Sequence, residues 1–492
     1  MAFDYLQIFK LAAPEAMVVL AALAVLAVDL LVLRAESVEQ RLTFGGVMAC
    51  FGCVAAFVWT WNAHGSERLL HGMLVTDEVT RVVKLAILTL SGLTILISLN
   101  ARFTKHVGEY LALILLATVG MLFMVSSEEL LTLFVSLELT SLSLYVLTAF
   151  HKESLASAEA ALKYFLFGGM SAAFMLFGLS LVYGLTGSTY LRPIAEALRG
   201  QPLSPLLIAA LVMIVIGFGF KVAAAPFHLW APDAYQGAPT PSAALIATGS
   251  KVASFLLFSR ILMVGFAGAE GRGDWLRFTS GWVPALALVA AFSIVLGNLA
   301  AIVQSNVKRL LAYSAIAHAG YALLAVTSNN QQGVASLVYY VITYGLTVLG
   351  AFGVVHVIEQ SHGDASITGF AGLSRRSPWL SFCMLIFLLS LAGIPPLAGF
   401  FGKFYVFAAA LGAGKDLGLL WLVILALAMS AVSLYYYLQV LKQIYVVEAP
   451  VDRSIRAPLA SQLAIGALAL AVIIFGCVPD LLLGKLVEAA SH

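Results

Sequence analysis

Apolar runs of about 20 residues alternate with short polar breaks along the whole chain. A helix rises about 1.5 Å per residue, so such a run crosses the roughly 30 Å of hydrocarbon in a bilayer. The runs fall at residues 12–33, 42–62, 79–99, 108–125, 128–149, 156–185, 203–225, 240–263, 280–304, 310–327, 332–358, 377–410, 417–445 and 459–482. This pattern predicts about fourteen transmembrane helices. The period-2 alternation of a membrane barrel is missing, so backbone donors and acceptors are satisfied inside each segment. The expected fold class is an all-α integral membrane protein. No linker interrupts the series, and residues 1–492 read as a single domain. No clear cleavage site follows the first run, which reads as a retained helix and not a signal peptide.

Composition agrees. The chain is 61% hydrophobic and 11% charged, with a mean hydropathy of +0.99. Soluble domains carry about 25% charged residues, and so few charges could not cover a water-soluble fold of this size. A formal net charge of +2 without a basic run excludes a nucleic-acid role. Cys50 and Cys53 form a C-x-x-C inside an apolar run, with no second pair and no nearby histidine. They read as small apolar fillers, as do Cys383 and Cys477, and not as metal or redox groups.

An even number of spans leaves both termini on one side. The opposite loops carry Arg34, Arg41, Arg102, Lys105, Lys152, Lys308, Arg309, Arg375, Arg376, Lys442, Arg453 and Arg456. The termini side carries Lys10, Arg68, Arg81, Lys84, Arg192, Arg199, Arg272, Arg277, Lys415 and Lys485, balanced by many acids. The mild excess puts the cytoplasm opposite the termini, which would lie in the periplasm of a bacterium. Lys308 and Arg309 read as interfacial anchors of the tenth span.

The chemistry lies in charges buried where they are costly. An ionisable group in a spanning helix costs at least about 2.5–3.5 kcal/mol, so function is its default reading. The set is Asp29, Glu138, Lys163, Lys221, Lys251, His318 and Lys403. Asp29 is near a helix end and reads as reaching the headgroups. Ser126 and Glu129 look like a capping box that starts the fifth helix. Glu138 and Lys163 lie at similar depth on the two arms of one helical hairpin, so they are expected to meet as a buried pair. A lysine held in low dielectric gives up its proton more readily than one in water, which makes Lys221, Lys251 and Lys403 candidates for proton transfer. Lys251 is about 15 Å past Pro241, too deep to snorkel. Lys221 precedes Pro226, and Lys403 follows Pro395 and Pro396, so helices 7 and 12 should both be broken. The freed carbonyls should face a polar cavity. His318 is a plausible relay, because imidazole titrates near working pH. Two broken helices five spans apart point to two inverted five-helix repeats, at about residues 106–263 and 280–447. The expected route is a hydrated chain through Lys221, Lys251, His318 and Lys403.

Several strings carry a further resemblance. GFGFKVAAAPFHLWAPDAYQGAPTPSAALIATGSKVASF spans residues 217–255, with ALKYFLFGGMSAAFMLFGLSLVYGLTGS before it and NVKRLLAYSAIAHAGY and GIPPLAGFFGKFYVF after it. Together they resemble the antiporter-like subunits of respiratory complex I, the proton-translocating NADH–quinone oxidoreductase, and within that group the subunit N family. The resemblance covers the whole chain. Subunit L carries a long lateral helix beyond the fourteenth span, where this sequence stops, and subunit M typically has a glutamate where Lys403 stands. The resemblance implies a glutamate–lysine pair at Glu138 and Lys163, a broken-helix lysine at Lys221, a connecting lysine at Lys251 and a terminal lysine at Lys403. It implies fourteen helices with two inverted five-helix repeats. It also implies a bacterial inner-membrane location among other membrane subunits of the complex. NADH, flavin, iron–sulfur clusters and quinone would be held by partner subunits, with no cofactor in this chain. Quinone reduction elsewhere would drive proton pumping here. The alternative is a subunit of an Mrp-type cation/proton antiporter or a membrane-bound hydrogenase, which share the core.

Overall fold

A computed structural model describes residues 5–63, 65–275, 277–413, 417–449 and 454–491. Lys415 and Arg453, counted above among the loop cations, lie outside these residues. The described chain is helical apart from two short antiparallel hairpins. β1 (Glu67–Leu69) pairs with β2 (Leu74–Thr76), and β3 (Arg272–Asp274) with β4 (Arg277–Thr279).

The first half contains α1 (Tyr5–Leu11), α2 (Ala13–Leu31), α3 (Val38–Asn62), α4 (Glu78–Ser98), α5 (Val107–Val125), α6 (Leu130–Thr148), α7 (Leu155–Thr186), α8 (Leu191–Leu198) and α9 (Pro205–Lys221). After it come α10 (Trp230–Gly237), α11 (Thr240–Ala247) and α12 (Gly249–Arg260), the last extended by a π-helical turn, Ile261–Gly265. The remainder is α13 (Trp282–Ile302), α14 (Val307–Thr327), α15 (Gln331–His362), α16 (Leu373–Arg376), α17 (Pro378–Ala392), α18 (Ala398–Leu411), α19 (Leu420–Tyr445), α20 (Leu459–Cys477) and α21 (Asp480–Ser491). Among the described residues, twelve stretches are long and apolar enough to cross a membrane. Two further crossings are each split in two, the seventh into α9 and α10 and the twelfth into α17 and α18. The expected breaks at helices 7 and 12 are therefore present. A third break was not expected. The eighth span leaves helical geometry at Thr248 (φ −122°, ψ −82°), between α11 and α12.

The described residues form two compact units. The first is the chain as far as Lys221 with Gly249–Glu270 and Ser280–Trp282; the second is Val222–Thr248, Gly271–Thr279 and the chain from Val283 on. Two of the boundaries fall at breaks, after Lys221 and after Thr248.

Each unit contains the same succession of elements. In the first, α5 crosses α6 so closely that a Cβ on Gly120 would lie 2.8 Å from the Ser136 carbonyl. Glu129 caps α6, and α7 runs 32 residues to a left-handed Gly187. Backbone bonds Leu130 N to Thr189 O (2.8 Å) and Leu191 N to Glu128 O (3.0 Å) then tie the end of this hairpin to its start. In the second unit, a Cβ on Gly297 would lie 2.5 Å from the Ala317 amide nitrogen. Asn306 caps α14, and α15 runs 32 residues to a left-handed Gly363. Val307 N to Ala365 O and Ile367 N to Ser305 O, both 2.8 Å, tie it in the same way. Small residues permit these approaches because lipid offers no hydrophobic drive and helices must associate through close contact.

Candidate proton-transfer site

In the first unit, α6 begins at Glu129, whose own carboxylate caps the helix by accepting from Thr132 N at 2.7 Å. The expected capping box from Ser126 is not used. Nine residues on, about 13 Å along the axis, comes Glu138. Glu138, Ser141 and Tyr145 share one stripe of α6 (i, i+3, i+7). Lys221 is the last residue of α9. A helix continuing through it would need an N–H at Pro226 for the Val222 carbonyl, and proline has none. The Lys221 ammonium donates to Glu138 Oε1 at 3.2 Å and to Ser141 Oγ at 2.6 Å. The Tyr145 ring centroid lies 5.9 Å away. Lys221 therefore has an acidic partner that the sequence did not reveal.

Lys163 does not hold the place expected of it. It is 40% exposed and pairs at 2.7 Å with Glu159, four residues back on α7. Depth from a hairpin loop fixes only one coordinate. The direction in which each side chain leaves its helix fixes the other, and Lys163 leaves α7 on a half-exposed side. Lys251 is on α12, three residues past the Thr248 break, and only 2% exposed, so it does not snorkel.

Three other charge pairs in this unit escaped the sequence reading. Lys84 was counted as a loop cation but is inside α4, 2.7 Å from Glu15 on α2, both almost fully buried. Asp29 does not reach for headgroups. It is buried and accepts from Arg41 Nε and Nη2 (2.8 and 2.6 Å) and from the Gly108 amide (3.0 Å). Arg260 donates to Asp77 at 3.0 Å. Burial alone would raise the Asp77 pKa, but the Arg260 charge and the Thr80 amide outweigh it and hold the carboxyl below its usual range. A polar residue within the first two turns of a span was hard to separate from a loop residue, which is why these pairs were missed.

In the second unit, the twelfth crossing stops at Ala392 and resumes at Ala398. Leu391 O and Ala392 O would normally receive the N–H groups of residues 395 and 396, both prolines. The Lys403 ammonium donates to those two carbonyls at 2.9 and 3.0 Å and to Ser430 Oγ at 2.8 Å. The carbonyls freed by the break are thus taken by the lysine, and do not face an open polar cavity. The Tyr321 ring centroid is 5.2 Å from the same ammonium. Tyr321 OH accepts from Asn298 Nδ2 (3.1 Å), and Tyr436 OH donates to Asn298 Oδ1 (3.0 Å). His318, on α14, has Nδ1 2.7 Å from Tyr340 OH and Nε2 3.3 Å from Tyr437 OH. It therefore stands in a buried hydroxyl cluster.

Lys308 and Arg309 are not interfacial anchors. Buried Lys308 donates to Glu359 Oε1 (2.9 Å) and to the Ala238 carbonyl (3.2 Å), while Thr240 Oγ1 donates to Glu359 Oε2. Arg309 donates to Asp233 Oδ1 at 2.6 Å. The two cations pin the loop and short helices of PDAYQGAPTP. Among the described residues no cluster of His, Cys, Asp and Glu could hold a metal ion.

A polytopic helical protein with buried, hydrogen-bonded lysines at helix breaks has the architecture of a proton-antiporter-type membrane subunit. Residues 127–430 match the transmembrane family described as NADH:quinone oxidoreductase/Mrp antiporter. NADH-quinone oxidoreductase subunit N 2 of Acidobacterium capsulatum is 50% identical over 98% of both chains. A chain of respiratory complex I from Thermus thermophilus is 34% identical, with a TM-score of 0.78 over 96% of this chain and 99% of that one. A chain of the Mrp complex from Dietzia superposes with a TM-score of 0.83 over 98% of this chain and 97% of that one, and at 19% identity it shows the fold alone. The chain belongs to the subunit N family, and so is a membrane subunit of the proton-translocating NADH–quinone oxidoreductase, complex I.

Proposed function

We propose that this subunit moves protons through its buried lysines while partner subunits, which hold the redox cofactors and the quinone, reduce quinone. The observation that carries this reading is the Glu138–Lys221–Ser141 cluster at the end of a broken helix. A buried ion pair is a poor way to stabilise a fold, since desolvating two charges offsets most of their attraction. It is a good way to hold a proton conditionally. When Glu138 is close, the ammonium is favoured; when the pair separates, the proton is released more readily. Lys251 in the first unit, and His318 and Lys403 in the second, are further proton carriers in this scheme. Lys163, half-exposed and paired with Glu159 along its own helix, is not a buried step in this scheme.

The test is Glu138→Gln in the assembled complex, in inverted membrane vesicles oxidising NADH. Proton pumping and quinone reduction are expected to fall together, because the two are coupled. Full coupled turnover in an assembled variant would sink the switch.

A further inference from the structure

The cluster at the end of α15 has no part in that scheme, and its composition is unusual for a packing joint. α15 has 32 residues, about 48 Å, against roughly 30 Å of hydrocarbon. It is therefore long enough to carry its last turn to the membrane interface. Glu359 lies in that turn with its side chain 28% exposed, while its partner Lys308 is 5% exposed. One turn deeper on the same face is His356, buried. His356 Nε2 lies 3.0 Å from Gln360 Nε2. The amide there donates, which places the proton of the neutral ring on Nδ1.

We infer that Glu359 and His356 form a proton-uptake site on the side of the membrane opposite the termini, an inference that rests on the proton-moving reading above. Glu359 is open to water and His356 is not, so the two make a step inward. A proton from water adds to a Glu359 carboxylate oxygen; its transfer to His356 Nε2, with Gln360 turning its amide oxygen to accept from the new N–H, makes an imidazolium and returns the carboxylate to its ionised form against Lys308.

The charges facing the site are few. α14 contributes Lys308 and Arg309, the latter held by Asp233 of α10. α11, α17 and α20 carry no charged residue. The one charge of α18 is Lys403, occupied at its own break. His362, at the end of α15, is bonded to Arg376 of α16 at 3.2 Å. α14 also carries His318, and α21, which packs against α15 too, carries Asp480, Lys485 and Glu488.

Inverted vesicles carrying the assembled complex test this. External pH is varied during NADH oxidation, and proton uptake is followed with a ΔpH-sensitive dye. His356→Gln and Glu359→Gln are each expected to move the half-point of pumping by about one unit toward acid, a tenfold higher proton demand. Profiles superimposable on wild type in both variants would overturn the uptake site. If Glu138→Gln still fails to pump in that case, only this inference falls; if it too pumps normally, the underlying reading falls with it. Should Glu359→Gln fail to assemble because Lys308 loses its partner, His356→Gln decides, since it keeps an amide beside Gln360 and leaves the Lys308–Glu359 pair in place.

Discussion

An ammonium inside a membrane protein must replace its water, and the two broken-helix lysines do so differently. Lys221 has a carboxylate and a hydroxyl, whereas the hydrogen-bond partners of Lys403 among the described residues are two carbonyls and a hydroxyl. At 3.2 Å and an effective dielectric of about 20, the gross attraction in the first case is about 5 kcal/mol. Desolvation takes back several kcal/mol per ion, so the net hold is much smaller than the gross attraction, as the proposed switch needs. The substitution that separates charge from proton exchange is Lys221→Arg. Arginine can keep the pair with Glu138 but effectively never deprotonates. Lys221→Arg and Lys221→Ala are both expected to lower coupled pumping by about tenfold or more, a barrier increase of at least about 1.4 kcal/mol. Pumping measured in vesicles from both variants checks this. An active Arg variant would mean that only the charge matters, and wild-type rates in both would make Lys221 structural.

At the scale of an element, the twelfth crossing shows how a helix break and a lysine depend on each other. The prolines leave Leu391 O and Ala392 O without backbone donors, and Lys403 supplies the replacement. Restoring the donors should undo the arrangement. In a Pro395→Ala/Pro396→Ala variant the new amides are expected to compete for those carbonyls and displace the ammonium. Removing two prolines from a helix interior favours continuous helix by roughly 3 kcal/mol each. Hydrogen exchange on the assembled complex should then find protected amides at 395 and 396, and pumping should fall. Unprotected amides would mean that the break is imposed by packing and not by the prolines. The prolines themselves were plain in the sequence, and so were the spans, because run length and punctuation are properties of one segment at a time. What was not legible depended on two segments. Glu138 was assigned to Lys163 from equal depth, although the face that Glu138 shares with Ser141 and Tyr145 looks onto the end of α9. The break at Thr248 carried only a weak sign, the small run Thr248, Gly249, Ser250 in an otherwise apolar span. Glu15 and Lys84 look like loop charges until two helices meet.

At the scale of the whole molecule, direction across the membrane decides what each cluster does. Twelve unbroken or nearly unbroken crossings and two split ones bring the chain back to the side where it began. The termini therefore share a side, and α15, the eleventh crossing, ends on the opposite one. Topology is set by Lys and Arg in short loops, with acids counting for little. Cations that end up in pairs, such as Arg41 with Asp29 or Arg309 with Asp233, are counted with the rest. If the mild excess opposite the termini sets orientation, the exposed edge of Glu359 faces the cytoplasm, where a pump exporting protons must load. It also makes a separate prediction. Alkaline phosphatase, active only in the periplasm, is expected to be active when fused after residue 492 and inactive when fused in the loop between α13 and α14. Green fluorescent protein at the same two points should give the reverse. If the C-terminal fusion is instead fluorescent, the cluster at the end of α15 faces the periplasm. Glu359 and His356 would then be placed to release protons rather than take them up, and the route through the subunit would run the other way.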